Sequence, residues 1–231
     1  MSHREPLHLR PTAPLGERVL LPGDPGRALA LAQALLDEPR MFNHHRGLWG
    51  YTGTAPDGRP VTIQATGMGG PSAAIIFTEL IALGARSAIR VGTCGGLDGA
   101  LSVGDLVIAQ EALCADGTSQ ALGAAERAPA DGPLTDALRA NAPHAHAGTV
   151  LTVDLFYEPN PPPERPDALA VEMEAATLFT IGAAAGVPVA CILAVSDKLS
   201  ANGGRERIED TPLLLAAEAM GRAALAALSG S

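Results

Sequence analysis

The chain contains the stretch Ile89-Arg90-Val91-Gly92-Thr93-Cys94-Gly95-Gly96, in which an apolar run is followed at once by a glycine-rich segment. Residues 73–84 before it have the apolar spacing of a helix, so residues 89–91 are predicted to form a buried strand. Arg90 would then lie at the carboxyl end of that strand, where open α/β sheets bind their ligands. Because a buried arginine is costly without an anionic partner, the stretch predicts either an anion site or a structural salt bridge to a carboxylate.

The composition predicts an acidic globular protein with an aliphatic core. The 231 residues are 47% hydrophobic and 3% aromatic, and the formal net charge is −9. This size suits a single domain over residues 1–231. The acidic balance argues against a nucleic-acid partner, which needs a basic face, but not against a small phosphorylated ligand held by a few arginines.

The three cysteines, Cys94, Cys114 and Cys191, lack paired spacing, and the six histidines are scattered. We therefore expect no metal site and a reducing, cytoplasmic compartment. The sequence has no run of about 18 uncharged apolar residues, and its N-terminus lacks a signal-peptide core, so no membrane partner is expected.

Strand and helix patterns alternate along the chain. Apolar runs predict strands at residues 19–21, 51–54, 60–65, 105–110, 148–154 and 187–195, of which the second and third form a hairpin. Helical spacing predicts helices at residues 27–36, 73–83, 171–185 and 212–228, with Ser72 as a cap. Residues 115–133 and 158–166 are predicted as loops. This order predicts an α/β domain with helices on both faces of a sheet.

Two further glycine-rich segments are candidates for the same anion site. Gly23-Asp24-Pro25-Gly26-Arg27 follows a strand and opens a helix, where backbone N–H groups, the helix dipole and Arg27 would meet an anion. Gly67-Met68-Gly69-Gly70 would let a ligand approach the backbone, and Thr93 could donate a hydroxyl beside Arg90. Each segment also has a simpler explanation, an ordinary turn or the packing of a helix on a sheet.

Two acidic motifs are also ambiguous. Glu172-Met173-Glu174 opens an apolar helix, where a carboxylate would accept two sugar hydroxyls or simply complement the helix dipole. Asp197 follows Ser196 at the end of the strand predicted over residues 187–195. It is either a catalytic acid or a cap for the next segment, and its position slightly favours the acid.

Six motifs, taken in order, resemble the hexameric nucleoside phosphorylases, a family that includes bacterial purine nucleoside phosphorylase and uridine phosphorylase. The motifs are Leu21-Pro22-Gly23-Asp24-Pro25-Gly26-Arg27, Thr66-Gly67-Met68-Gly69-Gly70-Pro71-Ser72, Arg90-Val91-Gly92-Thr93-Cys94-Gly95, Asp154-Leu155-Phe156-Tyr157, Val171-Glu172-Met173-Glu174-Ala175-Ala176 and Val195-Ser196-Asp197. The resemblance implies a single α/β domain with a distorted, mixed β-sheet flanked by helices. It also implies reversible phosphorolysis of a nucleoside, with inorganic phosphate as co-substrate and no bound cofactor.

The resemblance further implies a role for individual residues. The phosphate would be bound by Gly23, Arg27, Arg90 and Thr93, and by Arg46 of a neighbouring subunit. The ribose would be bound by Met68, Met173, Glu174 and a neighbour's His8, and the base by Cys94, Gly95, Phe156 and Ser196. Asp197 would protonate N7 of a purine with help from Arg207, or alternatively Arg205. Sites shared in this way imply a homohexamer, a trimer of dimers.

The motifs most resemble the bacterial purine enzymes. Ser196-Asp197 matches them, and residues 158–166 lack the Gln/Arg pair that uridine phosphorylases use for the pyrimidine. Gly69-Gly70-Pro71-Ser72 and Thr93 are closer to the uridine enzymes, so that activity is an alternative. A nucleosidase using water is disfavoured by the three candidate phosphate arginines, and a non-catalytic nucleoside-binding protein by the intact set of acidic residues.

Overall fold

The computed structural model describes residues 5–157, 167–199 and 205–230, with only the backbone for Leu199 and Arg205. Its strands are β1 (Arg18–Leu21), β2 (Asp37–Asn43), β3 (Gly50–Thr54), β4 (Pro60–Gln64), β5 (Ser87–Gly96), β6 (Leu106–Cys114), β7 (Arg127–Pro129), β8 (His146–Thr152), β9 (Ala168–Glu172), β10 (Val189–Leu199) and β11 (Arg205–Arg207). Its α-helices are α1 (Pro25–Leu35), α2 (Gly70–Leu83), α3 (Gly117–Ala121), α4 (Gly132–Asn141), α5 (Ala175–Ala185) and α6 (Asp210–Ser229).

The strands of the described residues form one mixed sheet. Its order is β11-β10-β6-β8-β9-β5-β1-β4-β3-β2, with β7 on β6. Because β10 also pairs with β5, the strands β10, β6, β8, β9 and β5 close into a ring, from which β1 to β4 extend. This closure is the distortion that the family resemblance implies, and the α/β fold with a mixed sheet and flanking helices is confirmed.

Helices cover both faces of the sheet. The α2 and α5 residues Phe77 and Leu178 belong to one apolar cluster, whereas Leu31 of α1, Leu134 of α4 and Met220 of α6 belong to another. Successive residues of β5 and β10 alternate between the two clusters, as side chains of a strand must. Aliphatic burial on both faces therefore stabilises the sheet, as the low aromatic content predicts.

Among the described residues, α6 is the one helix long and apolar enough to cross a membrane by length and composition, with a mean hydropathy of 1.3. Eight of its residues are buried, including Met220, Gly221 and Leu228. Gly221 has so little space that an added Cβ would lie 2.6 Å from Leu31 Cδ2 of α1. The inner face of this helix thus packs as core.

Both α1 and α2 begin earlier than predicted, α1 at Pro25 rather than residue 27 and α2 at Gly70 rather than residue 73. The Asp24 carboxylate caps α1 by accepting the N–H of Arg27 at 2.7 Å, and Pro25 occupies the first turn. The cap of α2 is Gly69 and not Ser72, whose hydroxyl instead donates to the Thr66 carbonyl at 2.5 Å. Gly70, Pro71 and Ser72 form the first turn of α2. Because these residues lack apolar spacing, the sequence pattern places the start of the helix three residues too late.

The prediction that the Arg90 strand ends at Val91 is wrong. β5 continues to Gly96, because β10 pairs with it in parallel from Ala88 onwards and β9 pairs with its last two residues. Pairing with β10 holds Gly92 extended, and pairing on both sides holds Gly95 and Gly96, despite the low strand propensity of glycine. Arg90 therefore lies inside β5, level with Leu21 at the carboxyl end of β1.

Several other boundaries also differ. Residues 171–185 include the end of β9 before α5 begins, and residues 115–133 contain α3, β7 and the start of α4 rather than a loop. A short apolar run fits a strand or a helix equally well, which explains the first error. The caps Asp116 and Asp131, each accepting a backbone N–H three residues later, are the signals that would have corrected the second. The loop predicted at residues 158–166 lies outside the described residues.

Candidate active site

A cavity of about 500 Å³ opens beyond the carboxyl end of β1, between the segments that follow β4, β8 and β9. It brings together most of the residues that the sequence motifs single out. These are Gly23, Arg27, Met68, Arg90, Thr93, Cys94, Gly95, Phe156, Met173, Glu174, Ser196 and Asp197. These residues come from six separate segments of the chain and line one cavity, whose volume suits a small-molecule ligand.

Arg90 is buried beside two carboxylates. Its Nε donates to Oε2 of Glu172 at 3.0 Å, and its Nη2 lies 2.5 Å from Oε2 of Glu174. The salt bridge foreseen as an alternative to an anion site is therefore present. The third guanidinium nitrogen, Nη1, is also buried and has no hydrogen-bond partner among the described residues. One donor group of Arg90 thus remains for a ligand.

Gly92 makes room for this arrangement. Arg90 and Gly92 lie on the same face of β5, and a Cβ at Gly92 would come within 2.7 Å of the Arg90 Cζ. The guanidinium therefore lies along the strand, over the glycine, and not away from the sheet. A residue with any side chain at this position would displace the guanidinium.

Two cations converge on the cavity. Burial alone would lower the pKa of Arg90, but the charges of Glu174 and Glu172 outweigh it and raise the pKa. Burial lowers the pKa of the half-buried Arg27. The charge of Asp24 raises this pKa in part, whereas the positive charge of the nearby Arg90 lowers it further. Since arginine stays protonated in proteins, both groups remain cationic and repel one another, which an anion between them would relieve.

Glu172 is a functional residue that the motif analysis left without a role. Its carboxylate accepts hydrogen bonds from Arg90 Nε, from the Thr152 hydroxyl at 2.5 Å, and from the backbone N–H groups of Glu174 and Ala175 at 2.8 and 2.9 Å. Burial raises the pKa of Glu172, whereas the charge of Arg90 lowers it. One buried carboxylate thus fixes both the arginine and the start of α5. The alternating burial along β9 places Glu172 on the inner face of this strand.

Glu174 connects the arginine to the glycine-rich segment before α2. Its Oε1 accepts the N–H of Gly69 at 2.5 Å, while its Oε2 faces Arg90. Gly69 has φ 84°, a left-handed conformation that suits glycine. Met68, in the same segment, is 87% exposed at the rim of the cavity. The carboxylate predicted to hold a ribose is therefore fixed between the anion site and the methionine.

A β-bulge turns two consecutive residues of β10 toward the cavity. The pairing of β10 with β5 shifts between Val195 and Asp197, so Ser196 and Asp197 both line the cavity although neighbours in a strand normally face opposite sides. The Ser196 hydroxyl lies 2.9 Å from Asp197 Oδ1 and 3.2 Å from the Cys94 carbonyl oxygen. Asp197 is 7% exposed, so a ligand would meet it in a largely dry environment.

The remaining wall is apolar. Leu155 and Phe156 are about half exposed at the cavity rim, and Phe156 makes an edge contact with Tyr157, with ring centroids 4.9 Å apart. Burial raises the pKa of the Cys94 thiol, which therefore stays protonated and is a wall residue rather than a nucleophile. The cavity thus offers an apolar surface for a flat ring, a cationic end, and carboxylates between them.

Three predicted site residues do not line this cavity. Arg207 is exposed, but its backbone lies directly opposite Asp197 in the pairing of β11 with β10. His8 packs on α2, with Nδ1 2.8 Å from Oε1 of Glu79. Arg46 is exposed in a short turn. The assignment of His8 and Arg46 to a neighbouring subunit's site stays a prediction. The alternate residue Arg205 lies opposite Leu199, and its side chain is outside the described residues.

Residues 17–229 match the family model of the phosphorylase superfamily. The DeoD-type purine nucleoside phosphorylases of Oceanobacillus iheyensis and Bacillus cereus are 37% and 39% identical to this chain over 197 residues, which are 80% of this chain and 83% of each relative.

Solved structures agree with the sequence comparison. Purine nucleoside phosphorylase from Toxoplasma gondii, in complex with immucillin-H, has a TM-score of 0.86 at 25% identity over 94% of this chain and 91% of its own. Uridine phosphorylase from Vibrio fischeri shares the fold, with a TM-score of 0.81 at 24% identity over 94% of this chain and 93% of its own. The chain belongs to the phosphorylase superfamily.

Proposed function

We propose that this chain catalyses the reversible phosphorolysis of purine ribonucleosides and deoxyribonucleosides, giving the free base and (deoxy)ribose 1-phosphate. The observation that carries this proposal is the convergence of Arg27, Arg90, Glu174 and Asp197 on one cavity. The purine nucleoside phosphorylases at 37% and 39% identity support the purine substrate.

The cationic end of the cavity would bind phosphate. Arg27, Thr93 and the unpartnered Nη1 of Arg90 would hold it, with backbone N–H groups near Gly23 at the start of α1. As the glycosidic bond breaks, the ribose gains oxocarbenium character, and a phosphate oxygen forms the new bond to C1′. Arginines fixed in advance position this nucleophile and supply the field that favours the charged transition state.

The middle of the cavity would bind the sugar. The Glu174 carboxylate would accept the ribose 2′- and 3′-hydroxyls, with Met68 and Met173 against the ring. One Glu174 oxygen already accepts a hydrogen bond from Gly69 and the other pairs with Arg90, but each oxygen has a further lone pair, so the carboxylate need not release either partner.

The apolar end would bind the base. Cys94, Gly95, Phe156 and Ser196 would contact the purine ring, and Asp197 in its acid form would donate a proton to N7 as the bonding electrons pass to the base. Arg207, opposite Asp197 in the sheet, would assist this transfer. Neither a metal nor a bound cofactor has a part in this scheme.

We further propose a single domain over residues 1–231 that assembles as a cytoplasmic homohexamer, a trimer of dimers, without nucleic-acid or membrane partners. The positions of His8 and Arg46 outside the chain's own cavity support a shared site. Analytical ultracentrifugation should give a hexamer, and a fully active monomer would contradict the shared site.

The function is tested by base release from inosine, adenosine and uridine, each with and without inorganic phosphate. Phosphate-dependent release from the purine nucleosides is expected. Release that ignores phosphate would indicate a nucleosidase, release from uridine alone would overturn the purine assignment, and no release at all would leave a binding protein.

A further inference from the structure

One buried amide, that of Asn43, holds two segments that are far apart in the sequence. Asn43 ends β2 and is 0% exposed. Its Oδ1 accepts the backbone N–H of Arg10 at 2.9 Å and of His45 at 3.3 Å. Its Nδ2 donates to the carbonyl oxygens of Leu48 at 2.6 Å and of His45 at 3.4 Å. Both lone pairs and both N–H groups of the amide are therefore used, all on backbone groups.

These bonds flank a residue with an uncommon backbone conformation. Arg46 has φ 59° and ψ 19°, in the left-handed region that residues other than glycine rarely occupy. Such a conformation persists when the surrounding structure determines it. Asn43 bonds to His45 immediately before Arg46 and to Leu48 two positions after it, so the amide holds both ends of the turn.

The same turn is attached to the cavity and to the N-terminal segment. Leu48 lines the cavity, and its carbonyl oxygen accepts a second hydrogen bond, from Gln64 Nε2 at 3.0 Å. The His45 ring nitrogen Nδ1 lies 2.9 Å from the carbonyl oxygen of His8. The position of Arg46 relative to the cavity rim and to His8 is thus set through Asn43, which does not itself line the cavity.

We propose that Asn43 is a positioning residue for phosphate binding and acts through Arg46. This inference rests on the function proposed above, in which Arg46 contacts the phosphate bound by a neighbouring subunit. Asn43 contributes no group to the site; it fixes the left-handed turn from which the Arg46 guanidinium extends. Loss of the amide would let the turn relax toward ordinary backbone conformations and move the guanidinium away from its binding position.

The test is a steady-state comparison of Asn43→Ala with the parent enzyme, using inosine and inorganic phosphate. The KM for phosphate should rise about 10-fold to 100-fold, since misplacing a charged group by about 1 Å costs up to about 100-fold, while the KM for inosine should rise less. Asn43→Asp keeps the shape and the acceptor but loses both donors, so it should change the phosphate KM in the same direction. If Asn43→Ala does not fold, the phosphate KM of Asn43→Asp tests the proposal.

A double-mutant cycle separates positioning from a merely structural role. On an Arg46→Ala background, Asn43→Ala should raise the phosphate KM no further, because the group it positions is gone. An equal rise in both backgrounds would overturn the proposal. Normal phosphate KM in the folded Asn43 variants would also overturn it.

Thr62→Val is the matched control. The Thr62 hydroxyl is fully buried, accepts the N–H of Gly16 at 2.8 Å and donates to Thr52 Oγ1 at 3.2 Å, outside the turn. This variant should lower the melting temperature without changing the phosphate KM; an equal rise in KM would show that destabilisation alone is the cause.

If the unmutated chain shows no phosphate-dependent base release, the proposed function itself fails. If the unmutated chain does release base in a phosphate-dependent way but the effects of Asn43→Ala and Arg46→Ala are additive, only the role proposed for Asn43 fails.

Discussion

Arg90 and Glu172 form a buried ion pair, with Nε and Oε2 3.0 Å apart and side chains that are 4% and 0% exposed. The pair spans β5 and the end of β9, and the same carboxylate accepts the first N–H group of α5, that of Ala175. The anion site and the segment that carries Glu174 therefore depend on one side chain. A charge that is buried with a partner becomes very costly when that partner is removed.

Glu172→Gln should therefore destabilise the protein strongly. The amide leaves Arg90 short of one counter-charge and turns an NH₂ group toward backbone donors, so the free energy of unfolding should fall by about 3–5 kcal/mol. Urea denaturation measures this loss. The control Glu218→Gln, in an exposed pair with Arg222 on α6, should change stability by less than about 0.5 kcal/mol. A Glu172→Gln variant as stable as the parent would contradict the role of the pair.

Gly92→Ala should impair activity without unfolding the chain. The new Cβ would meet the flexible end of the Arg90 side chain, 2.7 Å from Cζ, so the guanidinium moves and the backbone stays. We expect kcat/KM for phosphate to fall about 100-fold, the effect of misplacing a positioning group by about 1 Å. Gly99→Ala, where no atom lies within 4 Å of the added Cβ, is the matched control. Full activity in Gly92→Ala would show that the guanidinium position is unimportant.

The glycine-rich strand end shows where sequence analysis fails for a physical reason. Gly92, Gly95 and Gly96 resemble a turn because glycine favours turns, yet β10 pairs with all three and β9 also pairs with the last two, which holds them in β5. The strand-to-helix junction at residues 23–27 was predicted correctly because its proline and glycines lie within a few residues of one another, although α1 begins at Pro25 rather than at residue 27. Local chemistry can be predicted from the chain, whereas pairing between distant strands cannot.

The candidate site likewise contains residues that the sequence indicates and residues whose roles only the structure shows. Most residues that line the cavity belong to short motifs, and the family resemblance carried by those motifs implies their roles. The roles of Glu172 and Asn43 depend on distant partners: Glu172 on Arg90, 82 positions away, and Asn43 on Arg10, 33 positions away. Nothing in the local sequence marks either residue, so only the three-dimensional structure reveals them.

Asp197→Asn should affect the chemical step more than substrate binding. The amide keeps the shape of the side chain beside the Ser196 hydroxyl but cannot donate an acidic proton to the leaving base. The value of kcat for inosine should fall about 100-fold to 10,000-fold, the range for loss of a general acid, with the phosphate KM unchanged. The exposed Asp136→Asn serves as the control. An unchanged kcat would place the proton donor elsewhere.

Glu79 should make the packing of the N-terminal segment on α2 sensitive to acid. Burial alone would raise the pKa of Glu79, but hydrogen bonds from the backbone of Leu9, Leu7 and His8 and from the His8 ring outweigh it and lower the pKa. A carboxylate whose pKa is lowered on folding stabilises the protein above its ordinary pKa, and this contribution is lost as the pH falls toward the folded value.

The comparison of Glu79→Gln with the parent by urea denaturation, from pH 7 down to about pH 3, measures this contribution. The parent should be more stable at neutral pH, and the difference in the free energy of unfolding should narrow below about pH 4.3, the ordinary pKa of glutamate. A difference that stays constant over this range would mean that the ionised carboxylate is not the stabilising form.

The attack of phosphate on the sugar in the cavity beside Arg90 is tested most directly by the identity of the sugar product. Inosine cleavage followed by ³¹P NMR in the presence of inorganic phosphate should give ribose 1-phosphate in a one-to-one ratio with hypoxanthine. Arg90→Lys keeps a cation beside Glu172 and Glu174 but loses the free Nη1 donor, so it should lose most of this product while remaining folded. Formation of free ribose at a rate independent of phosphate would contradict the account.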